Sequence, residues 1–187
     1  MSESRDDLLS RILGFAARDG LADRSLREIA AGAGTSHRML LYHFSSREGL
    51  LAAVVGAMEE RQRAAMTALA ETAGTPGELM TGVWRAVSSP EARPFVRLFF
   101  EVFALAARGA APGPPGLTTS WLADAEKAGE RLGVETDPAM LRLGVAVSRG
   151  LLIDLLAGED PGEVDAAHDL FVRLAGQAPP PAAEQGR

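Results

Sequence analysis

Arginine, histidine and tyrosine side chains are concentrated in one short segment, residues 35–51 (TSHRMLLYHFSSREGLL). Guanidinium groups bind guanine edges and phosphates, and hydroxyls and imidazoles also bind phosphates, so this set of side chains is typical of nucleic-acid contacts. Residues 24–47 contain four arginines against one acid, a net charge of +3, which leaves −9 for the rest of the chain. The pattern favours a local attraction to DNA on a protein that does not attract polyanions in general.

The helical period separates the candidate contacts in this segment by their direction. At about 100° per residue, a helix near residues 36–43 is expected to turn Leu40, Leu41 and Phe44 inward. Base readout comes from the N-terminal part of a recognition helix, so the candidates for base edges are His37, Arg38 and Met39, with Arg38 on a guanine as the leading contact. The candidates for phosphate contacts are Thr35, Ser36, Tyr42, His43 and Arg47. Composition alone leaves one alternative open, a surface helical hairpin with solvated arginines.

Helices must position these side chains, because strand patterns are nearly absent and apolar residues recur at spacings of three and four. The pattern predicts an all-α chain of about nine helices. Four helix starts have the spacing of a capping box: Ser25 with Glu28, Ser45 with Glu48, Thr75 with Glu78, and Asp160 with Glu163. The predicted helices cover residues 4–18, 26–31, 36–43, 47–73, 76–88, 94–107, 117–132, 138–157 and 161–175, with a loop at 108–116.

Composition narrows the class of protein. The chain has no cysteine, which excludes disulfides and thiolate metal sites, and its apolar runs are too short to cross a membrane. With no leader pattern at its N-terminus, it is predicted to be cytoplasmic. The string around Ser148 (AVSRG) is a relaxed form of the G-x-S-x-G nucleophile motif, but that motif needs a strand before the serine and this string falls inside a predicted helix. His37 and His43 are about 240° apart around their predicted helix, so they cannot share a metal ion. We therefore expect neither an enzyme nor a bound metal or cofactor.

The run SLREIAAGAGTSHRMLLYHFSSREGLL, residues 25–51, resembles the DNA-binding region of the TetR family of bacterial transcriptional regulators. The resemblance implies a helix-turn-helix unit that binds a palindromic operator in double-stranded DNA. Two positions depart from the family pattern: Leu41 stands where the family has tyrosine, with Tyr42 displaced by one residue, and Arg47 stands where lysine is usual. Arg38 replaces a residue that is commonly small, which implies a distinct operator.

The resemblance also implies the organisation of the remainder. Residues 1–46 would form the three-helix DNA-binding domain, residues 47–176 a ligand-binding and dimerisation domain, and residues 177–187 a disordered tail. The helix within residues 138–158 is apolar on nearly every side, and it would form a four-helix bundle through residues 138–175 with a second copy; the alternative is the buried central helix of a monomer. A small, mostly apolar effector would bind a cavity whose candidate lining is Met66, Met80, Trp84, Phe99, Phe103 and Trp121. The alternative is an all-helical carrier of an apolar small molecule whose N-terminal hairpin is structural.

Overall fold

The computed structural model describes residues 4–21, 24–107 and 120–177, and within these ranges it contains helices and no strand. The prediction of an all-α fold is confirmed, and every predicted helix overlaps an observed one. The predicted loop at 108–116 and the predicted tail beyond residue 177 lie outside the described residues. The helices are α1 (Arg5–Asp19), α2 (Leu26–Gly32), α3 (His37–Phe44), α4 (Arg47–Thr72), α5 (Pro76–Ser88), α6 (Arg93–Ala107), α7 (Ser120–Arg131), α8 (Pro138–Ala157) and α9 (Pro161–Gln177).

Side-chain caps determine where several of these helices begin. At α2 the Ser25 N–H donates to Glu28 Oε2 at 2.8 Å, and the Glu28 N–H donates to Ser25 Oγ at 3.3 Å, so this capping box is complete. The predicted box of Ser45 with Glu48 is wrong. Ser45 closes α3 with a positive φ of 65°, and Ser46 instead accepts the Gly49 N–H at 3.1 Å at the start of α4. The cap moves by one residue because α3 extends to Phe44 and needs the next residue to end it.

The described residues group into two compact units. The first comprises those within Met1–Arg61 and Arg93–Leu117, and the second those within Gln62–Ala92 and Thr118–Arg187. Helix α4 contributes residues to both units, and α6 belongs to the first unit although it follows α5 in the chain. The division at residues 46 and 47 that was predicted from the resemblance remains a prediction.

The described residues of the first unit share an apolar core that holds the three N-terminal helices together. Each of α1, α2 and α3 contributes buried aliphatic side chains to this core, and the beginning of α4 and the face of α6 complete it. Its most deeply buried members are Leu8, Ile12, Leu21, Ile29, Leu40, Leu50, Val54, Leu98 and Val102. Because side chains of this size each stabilise a fold by about 1.5–3 kcal/mol when buried, α3 is held as part of one rigid body.

A polar contact also fixes α6 to the end of α1 within the first unit. Glu101 Oε1 on α6 accepts a hydrogen bond from the Leu21 N–H at 2.6 Å. Gly20, which ends α1 with a φ of +75°, lies so close that a Cβ there would be 3.2 Å from Glu101 Oε2. The carboxylate therefore supplies an acceptor for the backbone N–H of Leu21, which lies two residues beyond the last residue of α1.

The second unit packs α5, α7, α8 and α9 together with the C-terminal part of α4. Trp84 on α5 donates its indole N–H to Asp165 Oδ1 on α9 at 2.7 Å, which joins two helices through a partly buried hydrogen bond. Arg63 on α4 forms an ion pair with Asp124 on α7 at 3.6 Å. Each of these contacts joins two helices of the second unit.

The turn between α2 and α3 allows a direct stability prediction. Gly34 has a φ of +67°, and a Cβ built there meets nothing within 4 Å, so the cost of Gly34→Ala is backbone strain alone, about 1–2 kcal/mol. Gly56, in the interior of α4, also has open space, but its helical backbone suits alanine, so Gly56→Ala should stabilise the protein by about 0.5–1 kcal/mol. Urea unfolding of both variants measures this contrast, and a Gly34→Ala variant as stable as Gly56→Ala would contradict it.

Candidate nucleic-acid interface and ligand cavity

Helix α3 has one face in the core and another in solvent. Leu40 and Phe44 are buried, and the Ser36 side chain begins the helix by accepting the Met39 N–H at 3.2 Å. The spacing of four residues between Leu40 and Phe44 places them on one side, so the remaining positions face outward or sideways. The packing of α3 against α2 in the shared core determines which positions of α3 face solvent.

The predicted DNA contacts all lie on α3 or directly beside it. Ser36, Arg38 and Tyr42 are exposed, and Tyr42 is the most exposed of the large hydrophobic side chains among the described residues, at 74%. Thr35, His37, Met39, His43 and Arg47 are half-buried. The Arg38 guanidinium forms no ion pair or hydrogen bond with any described residue, so it is available to a ligand.

Leu41 departs from the prediction that it would point inward, since 38% of it is exposed. The helical period explains the correction: Leu40 is about 40° from Phe44 around the helix axis and Leu41 about 60° on the other side, and the buried face of so short a helix is narrow. Leu41 and Tyr42 therefore stand side by side at the surface. The position that is tyrosine in the family pattern is apolar here, and the phenol is its neighbour.

Two other residues predicted to contact phosphate, Arg47 and His43, have polar atoms that are hydrogen-bonded within the protein or buried. The Arg47 guanidinium donates to the carbonyl oxygens of Leu21, at 3.0 Å, and of Arg24, so it ties the end of the α1–α2 connection to the start of α4. The His43 Nε2 atom is buried and has no hydrogen-bond partner among the described residues. A phosphate contact by His43 through this atom requires the imidazole to rotate.

A cavity of about 180 Å³ lies inside the second unit. Its walls come from α5, α7, α8 and α9, the segment between α7 and α8, and Met66 of α4. Methionine and aromatic side chains are prominent in the lining, which includes Met66, Met80, Met140, Trp84 and Phe171. Apolar cavities between bundle helices are common ligand sites.

The six residues predicted to line a ligand cavity do not all come together. Met66, Met80 and Trp84 line this one. Phe99 and Phe103 lie on α6 in the other unit, with their rings stacked at 6.1 Å, and Phe99 packs against the core of that unit. The side chain of Trp121, on α7, lies outside the described part of the chain.

Sequence reasoning missed His168, which lines the cavity together with Ser148. His168 is only 2% exposed, and its imidazole stacks on the Trp84 indole with ring centroids 4.6 Å apart and planes 11° apart. A signal for it exists in the sequence: Val164, His168, Phe171 and Ala175 follow the i, i+4, i+7, i+11 spacing of an inward helical face. A histidine on such a face is buried by its neighbours.

Burial lowers the pKa of His168, and this effect outweighs the nearby carboxylates of Asp169 and Asp165, which raise it. The folded protein therefore binds a proton at His168 less readily than the unfolded chain does. The contribution of His168 to the free energy of unfolding should be greatest above the ordinary histidine pKa of 6.5. It should fall as the pH drops below that value, because His168 is protonated in the unfolded state before it is protonated in the folded state.

His168→Gln removes this titrating group and keeps a polar side chain of similar length. Urea unfolding at a series of pH values should give a smaller loss of stability toward acid for His168→Gln than for the wild type. The other two histidines are common to both proteins and cancel in the comparison. Parallel pH dependences would contradict the assignment.

The outer faces of α8 and α9 form an exposed apolar surface in the second unit. Leu143 and Ile153 on α8 and Leu170 and Leu174 on α9 are between 49% and 57% exposed. Gly150 lies on the same face of α8 as Leu143 and Ile153, and a Cβ there would meet nothing within 4 Å. We name the four large side chains of Leu143, Ile153, Leu170 and Leu174 the α8–α9 apolar face.

None of the helices in the described part of the chain has the length and hydropathy needed to cross a membrane.

The geometry of the first unit, a short exposed helix set on two others through a glycine turn, defines a helix-turn-helix DNA-binding domain. Residues 8–54 match the family model of bacterial regulatory proteins of the tetR family. The resemblance of this segment to the TetR family that was inferred from the sequence is therefore confirmed.

Solved structures extend the similarity from this domain to the whole fold. A transcriptional regulator from Rhodococcus sp. Rha1 is 18% identical, with a TM-score of 0.77 over 94% of this chain and 97% of its own. A TetR-family member from Streptomyces coelicolor A3 is 27% identical, with a TM-score of 0.68 over 92% and 98%. The multidrug binding protein EbrR, complexed with imidazole, is 26% identical, with a TM-score of 0.67 over 99% and 100%. A comparison with curated proteins found no match.

Proposed function

We propose that this protein is a cytoplasmic transcriptional repressor that binds a palindromic operator as a homodimer and is released from it by a small, mostly apolar effector. The observation that carries the proposal is the exposed face of α3. Arg38, a cation with no partner among the described residues, is presented on a helix fixed by a buried core. Base readout in the major groove requires a side chain that has no partner within the protein and that lies on a helix held in place by the core.

Dimerisation follows from the size of one recognition helix. A single helix reads too few base pairs to select one site, so helix-turn-helix proteins place two of them about 34 Å apart along the DNA. The α8–α9 apolar face supplies a surface for pairing, and it falls within the residues 138–175 expected from the sequence. A two-fold interface buries each of its side chains twice, once per copy.

An effector function is supported by the cavity of the second unit. It is apolar, is lined by several methionines, and lies in a chain 26% identical to a protein described as multidrug binding. An effector that prefers the conformation with badly spaced recognition helices must weaken operator binding by the same factor by which the operator weakens effector binding. Helix α4 is the proposed route, since it contributes residues to both units.

The test of the ligand response is an equilibrium titration of a fluorescent operator, obtained by selection from random duplexes, with and without candidate compounds. We expect an effector to weaken operator binding by about 5- to 150-fold, the usual range of allosteric coupling. The same compound should bind the protein–operator complex more weakly by an equal factor. A compound that saturates the cavity at equal affinity with and without operator would contradict the proposed coupling for that compound, and such behaviour in every cavity ligand would contradict the ligand response itself.

A further inference from the structure

We infer that the cavity of the second unit takes an uncharged, flat, mostly apolar molecule carrying a hydroxyl group, and that His168 is the residue that recognises this hydroxyl. The inference rests on the proposed effector function only for the biological purpose of the cavity. The chemistry of the ligand follows from the lining itself.

The lining excludes charge. Among the described residues that line the cavity there is no aspartate, glutamate, lysine or arginine, and the polar side chains are those of Thr136, Ser148 and His168. A carboxylate or an ammonium group placed there would lose its hydration without gaining a counter-charge, which is strongly unfavourable. The ligand is therefore neutral in its bound form.

The size and walls of the cavity favour a flat molecule of one or two rings. An apolar cavity of about 150 Å³ in another protein holds benzene, and this one is about 180 Å³. Met66, Met80 and Met140 offer flexible, polarisable side chains that pack favourably against aromatic edges and adjust to a somewhat larger ring system.

His168 is held in one orientation by its surroundings. Its imidazole lies flat on the Trp84 indole, and that indole is itself fixed by the 2.7 Å hydrogen bond from its N–H to Asp165 Oδ1. A group that borders a cavity with a fixed orientation can discriminate between ligands, because binding does not first have to immobilise it.

The His168 Nδ1 atom is buried and has no hydrogen-bond partner among the described residues. Buried polar atoms are nearly always paired, so an unpaired one on a residue that lines a cavity points to a partner that the ligand supplies. A neutral imidazole has one donor and one acceptor nitrogen, and a hydroxyl both donates and accepts, so it suits either tautomer. Ser148 is a weaker candidate, since a serine inside a helix can bond the carbonyl four residues earlier.

The experiment compares three probes of the same shape by isothermal titration calorimetry with the full-length protein. They are 2-naphthol, 2-methylnaphthalene, in which a methyl group replaces the hydroxyl, and the anion 2-naphthoate. The wild type should bind 2-naphthol about tenfold more tightly than 2-methylnaphthalene, the difference made by one buried hydrogen bond. It should bind 2-naphthoate least tightly of the three.

Variants assign the preference to one side chain. His168→Phe retains a ring that stacks on Trp84 but has no polar atom, so the two neutral probes should bind it with equal affinity. His168→Gln should keep part of the hydroxyl preference, and Ser148→Ala, a change at another polar position of the same cavity, should keep all of it. Equal binding of the neutral probes by the wild type, a preference that survives in His168→Phe or is lost in Ser148→Ala, or tightest binding of 2-naphthoate would each overturn the inference.

Failure of this inference is distinguishable from failure of the proposed function. Calorimetry uses no DNA, so a protein that binds a selected operator but not 2-naphthol overturns the ligand class and leaves the DNA-binding function intact. A protein that binds 2-naphthol through His168 and never binds DNA supports the ligand class and overturns the repressor function.

Discussion

Replacing Leu143 and Ile153 together by glutamate will convert the protein to a monomer and weaken operator binding by more than about a hundredfold. Both side chains are about half exposed on the α8–α9 apolar face. In a two-fold interface the exposed half of each would be buried once per copy, and loss of these four half-burials removes about 3–6 kcal/mol of association free energy. Four introduced carboxylates then repel one another across the same surface.

Sedimentation equilibrium measures the first part of this prediction, and titration of a selected operator measures the second. The matched control is Ala65→Glu, which adds a carboxylate at an exposed position of α4 in the same unit but outside the α8–α9 apolar face. The control should remain a dimer with unchanged operator affinity. A Leu143→Glu, Ile153→Glu double variant that still sediments as a dimer would place the interface elsewhere.

Replacing Arg38 by alanine will relax base preference at one position in each half-site and weaken operator binding by about 1–3 kcal/mol per contact. The guanidinium is exposed and has no partner among the described residues, so its removal leaves the fold unchanged. Its fork matches the two acceptors on the major-groove edge of guanine, which no other base presents. The measurement is operator affinity across all four bases at each position, and equal losses on operator and random duplex would remove Arg38 from base readout.

Arg47→Ala is the contrasting variant. A phosphate contact by Arg47 predicts a similar loss of affinity for every duplex and a salt dependence lower by about one unit of slope. Since the guanidinium also binds the carbonyls of Leu21 and Arg24, the variant should in addition lower the free energy of unfolding by about 1.5–3 kcal/mol, the usual contribution of hydrogen bonds to a charged group. Lower stability with unchanged DNA affinity would show that Arg47 acts only within the protein.

The sequence was sufficient to predict most of the fold because its signals are local. Helix starts are marked by capping side chains such as Ser25 and Thr75, and the apolar period identifies the buried face of each helix. The errors have the same local character. Ser45 and Ser46 both satisfy the composition of a cap, and only the extent of the preceding helix decides between them.

The ligand cavity was less predictable because it depends on which helices pack together. Phe99 and Phe103 resemble pocket residues by type, but α6 belongs to the first unit and Phe99 packs against its core. His168 was visible as one polar residue on an apolar helical face, but its contact with Trp84 joins positions 84 residues apart in the chain. Such contacts are set by the tertiary arrangement rather than by periodicity.

The central claim is that two copies of α3 select one DNA site, and selection of bound sequences from a random duplex pool tests it most directly. The wild type should enrich a palindrome whose half-sites are centred about 34 Å apart, and the Leu143→Glu, Ile153→Glu double variant should not. Absence of any enriched sequence for the wild type at low salt would contradict this claim and favour a carrier whose N-terminal helices are structural.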